Sequence, residues 1–113
     1  MRKVGGNVTG EFLVGVQTAN GIGERVTVWE SVQHVKGWLD FQGESTGYER
    51  YSAKIQESTH VFVCDHTLLD ERIRTSNCRM RIDGEEYDVM AIDDPMGLKY
   101  HHEIFLQYRG EQG

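Results

Sequence analysis

Five histidines, two cysteines and a pair of adjacent aspartates carry the widest chemical repertoire in this chain. His60, Cys64 and His66 share one parity, so an extended segment would bring all three to one face, where a metal could be held. The pattern stops short of a site. Structural zinc draws on paired close ligands, and the chain contains neither C-x-x-C nor H-E-x-x-H. His34, His60, His66, His101 and His102 therefore read as strand and loop surface residues, with no metal among them. Asp93 and Asp94 stand before Pro95. Neighbours on an extended chain point to opposite faces, so these carboxylates do not converge on a substrate and read as a turn. Gly5-Gly6-Asn7-Val8-Thr9-Gly10 lacks the Gly-Lys-Ser/Thr ending of a phosphate loop, and no G-x-S-x-G elbow exists. No catalytic residue and no cofactor site is expected.

What remains is the chemistry of contact. Trp29 and Trp38 are large apolar bodies with one donor each. Trp29 reads as core, whereas Trp38, with Tyr48 and Tyr51, is a candidate interface anchor, since Trp, Tyr and Arg dominate binding hot spots. Glu49 and Arg50 lie between those tyrosines in a polar segment, Gln42 to Lys54, that has two glycines and no strand period. It reads as a long functional loop, with a helical turn capped by Thr46 and closed by Glu49 three residues on. Arg79 and Arg81 alternate with apolar neighbours and form a short basic stripe. Two readings stand for it, a solvated strand face and a row of intersubunit salt bridges.

The elements that must carry these residues are strands. Phe12, Val14 and Val16 alternate, giving a first strand from about Glu11 to Gln17. A long second one runs from Arg25 to about Phe41. Its apolar parity changes from Val26, Val28 and Val32 to Val35, Leu39 and Phe41, which predicts a bulge near Gln33-His34, and Gly37 offers a further bend. Thr59 to Cys64 is nearly continuously apolar, the pattern of a strand covered on both faces. Thr67-Leu68-Leu69-Asp70 has capping-box spacing and predicts one helical turn before Arg72. Cys78, Met80 and Ile82 alternate with charged residues up to Asp83-Gly84, a hairpin dipeptide that tolerates positive φ. Tyr87, Val89 and Ala91 continue the alternation until Asp93-Asp94-Pro95 stops it, and Ile104, Leu106 and Tyr108 resume it.

Strands joined by turns rather than by crossover helices predict an all-β fold, a small antiparallel β-barrel of about five to seven strands. It would carry one long loop and at most one short helix. Residues 1–10 read as a flexible arm, and residues 11–113 as a single barrel domain. With 113 residues the chain buries roughly two thirds of its unfolded surface, enough for one modest core. Cys64 and Cys78 both sit in apolar strand patterns and read as buried free thiols. No apolar run is long enough for a membrane helix, and no signal-peptide segment follows Met1. A formal net charge of −6 works against simple nucleic-acid binding, which needs cations to displace phosphate counterions. It does not forbid a wall past which DNA slides without sticking, since such a surface is neutral or acidic.

The series Val28-Trp29-Glu30-Ser31-Val32, Gly37-Trp38-Leu39-Asp40 and Ser58-Thr59-His60-Val61-Phe62-Val63 precedes Arg79-Met80-Arg81-Ile82-Asp83-Gly84-Glu85-Glu86-Tyr87-Asp88-Val89. With Ile92-Asp93-Asp94-Pro95-Met96 and His102 to Gly110, it resembles the head–tail joining, or head-closure, proteins of tailed bacteriophages, small minor capsid proteins included. The resemblance spans about Phe12 to Gly110. It implies a structural virion protein of the neck, assembled in the host cytoplasm, with no enzyme activity, no cofactor and no membrane. Its partners would be further copies in a ring beneath the portal and its adaptor, the portal and adaptor themselves, and tail-completion proteins. DNA would pass through without sequence-specific binding. The loop Gln42 to Lys54 matches, by position, the family's loop that serves the channel or ring contacts. Cys64-Asp65-His66 departs from the pattern, where many members have a basic or aromatic strand end. The rival reading is an OB-like nucleic-acid-binding barrel, with Tyr48, Arg50, Tyr51 and Lys54 as its weak basic and stacking surface.

Overall fold

The computed structural model describes residues 6–41, 59–75 and 77–111. Strand β1 is Val8–Ala19, β2 Arg25–Phe41, β3 His60–Asp65, β4 Cys78–Ile82, β5 Glu85–Asp93 and β6 His101–Glu111, with a 3-10 turn at Pro95–Gly97. Every neighbouring pair is antiparallel, and the order β1-β2-β3-β6-β5-β4 closes on itself through β1 and β4. The fold is the all-β closed sheet that the alternating patterns predict. Its strand pairing begins at Val8, inside the segment read as an arm. The Asn7 amide also donates to the Gly37 carbonyl at 3.1 Å. Residues 1–5 of that segment, and the loop Gln42 to Lys54, lie outside the described residues.

A ring of six strands is too narrow for a lumen, so side chains fill it. Phe12, Phe62, Met80, Ile104 and Leu106 are fully buried and form the cluster with Cys64, Cys78, Ile82, Tyr87 and Val89. Phe62 reaches across the interior to β1 and β2. A Cβ at Gly37 would lie 2.7 Å from its ring and 2.4 Å from the Val63 carbonyl oxygen, and one at Gly10 would lie 2.7 Å from the Met80 sulfur. Gly37 is therefore a site of close approach rather than a bend.

Local chemistry explains the remaining boundaries. Asp83 (φ 52°) and Gly84 (φ 82°) both adopt the left-handed region, so the hairpin turn is of the primed kind that strand twist favours. The bulge in β2 falls at Val32: Phe12 pairs with Gln33 and Leu13 with Ser31. That is one residue before the predicted switch, and it lets Val32, Val35 and Leu39 all pack on the core. A second bulge leaves Met90 unpaired between Val89↔Leu106 and Ala91↔Phe105. It turns Ile92 towards the core, against the simple alternation expected of this strand.

Three expectations are corrected. In β3 only Phe62 and Cys64 are buried, while Val61 and Val63 are half-buried, so the strand is covered fully on one face alone. No helical turn forms at Thr67–Asp70. Gln33 instead clamps that segment, accepting from the Asp70 amide at 2.7 Å and donating to the Leu68 carbonyl at 3.2 Å, while the Asp70 carboxylate accepts from the Arg72 amide at 2.9 Å. Short polar side chains compete in this way with helical bonding. Trp29 is not core. It lies half-buried on the outer face opposite Gly15.

Two predictions follow from the core. Gly37→Ala should lower stability by about 1–3 kcal/mol in chemical denaturation, because the new methyl meets a backbone oxygen and a buried ring that have no free space. Burial pushes the Cys64 thiol up to about 11 and Cys78 up to about 12, with Asp65 adding to the first. Both values lie above the ordinary 9.0, so the folded state resists thiol ionisation, and these groups cost stability as pH rises above about 9. Thiol labelling at pH 8 should be at background in native protein and complete in denaturant. Fast native labelling would refute the burial.

Candidate assembly surfaces

Two outer features of the barrel bring polar and aromatic groups together. The first grows from the Asp83-Gly84 turn. A two-residue turn sets Arg81 opposite Glu86 and Arg79 opposite Asp88, and β1 adds Glu11 opposite Arg81. These positions share the outward parity, so opposite charges stand across from each other over three strands, the arrangement that stabilises a sheet face. Arg79 approaches Glu86 at 3.5 Å and Asp88 at 3.8 Å. Arg81 approaches Glu11 at 3.5 Å and Glu86 at 3.7 Å. Arg109 on β6 reaches Asp88 at 3.0 Å, and His34 on β2 reaches Glu11 at 3.7 Å. Glu86 is only 6% exposed, which makes it the hub of the belt. The Arg79 guanidinium also lies 4.0 Å above the Trp29 ring, a cation–π contact. Trp29 fits there because Gly15 leaves room: a Cβ at Gly15 would be 3.3 Å from the indole.

The second feature is the barrel end from which the 42–58 segment departs. His60 meets Tyr87 at 5.2 Å and Phe41 at 5.5 Å between ring centroids, both edge-on, and Tyr87 meets Tyr108 at 5.5 Å. Tyr108 donates to the Glu85 carboxylate. Burial lowers the His60 pKa from its ordinary value. His60 is thus a packed aromatic, and His102 is buried too, bonded through Nε2 to the Thr67 carbonyl at 3.1 Å and stacked on His66 at 4.6 Å. This corrects the reading of all five histidines as surface residues, since β6 turns His102 inward beside Cys64. Phe41 remains exposed at this end (75%), and Trp38 (44%) is exposed three residues before it on the outer face of β2. Among the described residues no three metal-ligating groups converge.

Of the residues read as interface from sequence, the fold brings Arg79 and Arg81 together, and it places Trp38 on β2 opposite Val63. Tyr48, Glu49, Arg50 and Tyr51 lie outside the described residues.

The family model for phage head completion proteins matches residues 7–108, nearly the whole of this barrel. The chain belongs to that family. It is a structural protein of the phage head and not an enzyme. Among solved structures, a chain from the virion of a native gene transfer agent particle shares the fold. Its TM-score is 0.52 at 16% identity, with 88% of this chain and 91% of that one covered. No curated protein matches the sequence.

The acidic half of this head completion protein's belt was not singled out from the sequence, although a signal for it exists. Once Asp83-Gly84 is taken as a two-residue turn, counting back and forward by equal steps pairs Arg81 with Glu86 and Arg79 with Asp88. Glu11 and the aromatic end had no such local signal, because their partners come from distant strands.

The belt makes a graded prediction. Glu86→Ala should cost about 1–3 kcal/mol, since it strands two arginines around a buried position. Arg81→Ala, at a half-exposed side chain, should cost about 0.5 kcal/mol. A double-mutant cycle between Arg79 and Glu86 in urea checks the coupling, and additive losses would show that the pair does not interact.

Proposed function

We propose that this head completion protein joins head to tail. Copies form a ring beneath the portal and its adaptor, close the DNA-filled head, and offer the tail its docking surface. The observation that carries this reading is the contrast between side wall and end. The arginines of the wall are matched within the chain, Arg79 and Arg81 to Glu11, Glu86 and Asp88. The end of β2 before the 42–58 segment keeps large apolar side chains in solvent, Phe41 at the barrel end and Trp38 on the outer face beside it. Aromatic anchors of this type dominate protein interfaces. In the proposed arrangement Trp38 and Phe41 act with Tyr48, Glu49, Arg50 and Tyr51 to contact the neighbouring neck proteins. Arg79 and Arg81 border that contact from the wall.

The net charge of −6 fits a channel that lets DNA pass without holding it. The OB-like reading rests instead on Tyr48, Arg50, Tyr51 and Lys54, which lie outside the described residues.

The test is a double variant, Trp38→Ala with Phe41→Ala. The purified chain should melt within a few degrees of wild type. Particles assembled with it should accumulate as DNA-filled or leaking heads without tails by electron microscopy. Tailed particles in wild-type yield would refute the assignment of this end.

A further inference from the structure

Strands β1 and β2 pair out to Ala19↔Arg25, but β4 accompanies β1 only along Glu11–Val14, and β3 accompanies β2 only along Gly37–Phe41. Beyond Val14 the two strands project past the barrel as a two-stranded ribbon. Asn20 closes its tip, its side-chain oxygen accepting from the amides of Ile22 and Glu24 at 3.0 Å each. The two faces of the ribbon differ. One carries Gln17 bonded to Thr27 at 2.8 Å, with Trp29 at its base. The other continues the face of Val14 and presents Val16 opposite Val28, then Val26 opposite Thr18. These valines are 36%, 47% and 38% exposed. A two-stranded ribbon is marginal in water without something packed on its apolar face.

The same barrel end carries a second apolar surface of a different kind. The connection from β5 to β6 presents Leu98 and Tyr100, both about half exposed. Lys99 stands between them in the left-handed region at φ 59°, its amide held by the Asp94 carboxylate at 2.9 Å. The charges of the two surfaces are complementary. The valine row lies between Glu24 and Glu30 on its own face, and Glu30 also lies in the field of Arg72. The other surface sets one cation between two apolar side chains.

We propose that the occupant of the valine row is a second copy of this chain, which brings its Leu98-Lys99-Tyr100 connection onto Val16, Val26 and Val28, with Lys99 facing Glu24 at the tip end of the row. Two unlike patches on one chain make a head-to-tail contact, and such a contact repeats into a ring when its rotation closes. This inference rests on the proposed ring and names the surfaces that build it.

The test uses full chains carrying Val28→Cys, Tyr100→Cys or both, incorporated into heads and treated with a short bismaleimide. Both positions are about half exposed, so the fold tolerates the changes, and the burial of Cys64 and Cys78 keeps the background low. The double variant should give a ladder of covalent dimers, trimers and higher multimers. A mixture of the two single variants should give dimers, and each single variant alone should remain monomeric. Dimers from Val28→Cys alone would overturn the proposal in favour of a symmetric contact. Cross-links only to another virion protein would overturn it in favour of a foreign partner. Absence of any cross-link on heads whose neck carries several copies would refute the contact while leaving the ring standing. Heads that carry a single copy would refute the ring itself.

Discussion

Closure of the barrel depends on the space around one ring. The Phe62 ring borders the space that side chains at both Gly37 and Gly10 would fill, sharing the second with Met80. Six strands can close only if their inward side chains sum to the volume of a narrow tube at the density of a protein interior. Large residues at Phe12, Phe62 and Met80 are therefore balanced by glycines on the facing strands. Asn7, Gly37 and Val63 meet at the same place, so the beginning of β1, the end of β2 and the middle of β3 are locked by one packing event. Without it β3 would have no reason to join β2 at that register.

The outer wall follows from closure. Once the strands are in register, the outward parity of β1, β4 and β5 brings Glu11, Arg81, Glu86, Arg79 and Asp88 into one alternating belt, with Trp29 laid beneath Arg79. Charges matched within the protomer leave the wall with little to offer a partner at long range, and apolar side chains in solvent lie at the two ends. That division suits the ring proposed above, in which weak apolar surfaces gain strength from multivalency.

How much of this was readable before folding varies with the distance over which each feature is decided. The β4–β5 hairpin was legible in full, since Asp83-Gly84 admits positive φ at two successive positions and the alternation around it is strict. The bulge in β2 was legible to within one residue, because a change of apolar parity has few other causes. The bulge at Met90 was not, since it lies in a run apolar on both parities. Trp29 misled for the same reason. A large apolar residue on a strand signals burial, but which face it serves depends on Gly15 and Arg79, neither of which is its neighbour in sequence. The helical turn expected at Thr67 failed because Gln33, more than thirty positions away, takes the hydrogen bonds that a capping box would have used.

The sequence by itself determined the class of the molecule. Alternation, turn dipeptides and the absence of amphipathic helical spacing follow from local backbone sterics, and these suffice for an all-β chain without a catalytic constellation. The charge balance and the unpaired thiol pattern are equally properties of composition. Tertiary structure alone decided that Glu11 and Arg109 join the charges of the hairpin, which histidines are buried, and that two strands run on past the barrel to expose a row of valines. Those outcomes depend on register between strands far apart in the chain. Register is set by how the core packs, a volume constraint that no local pattern contains.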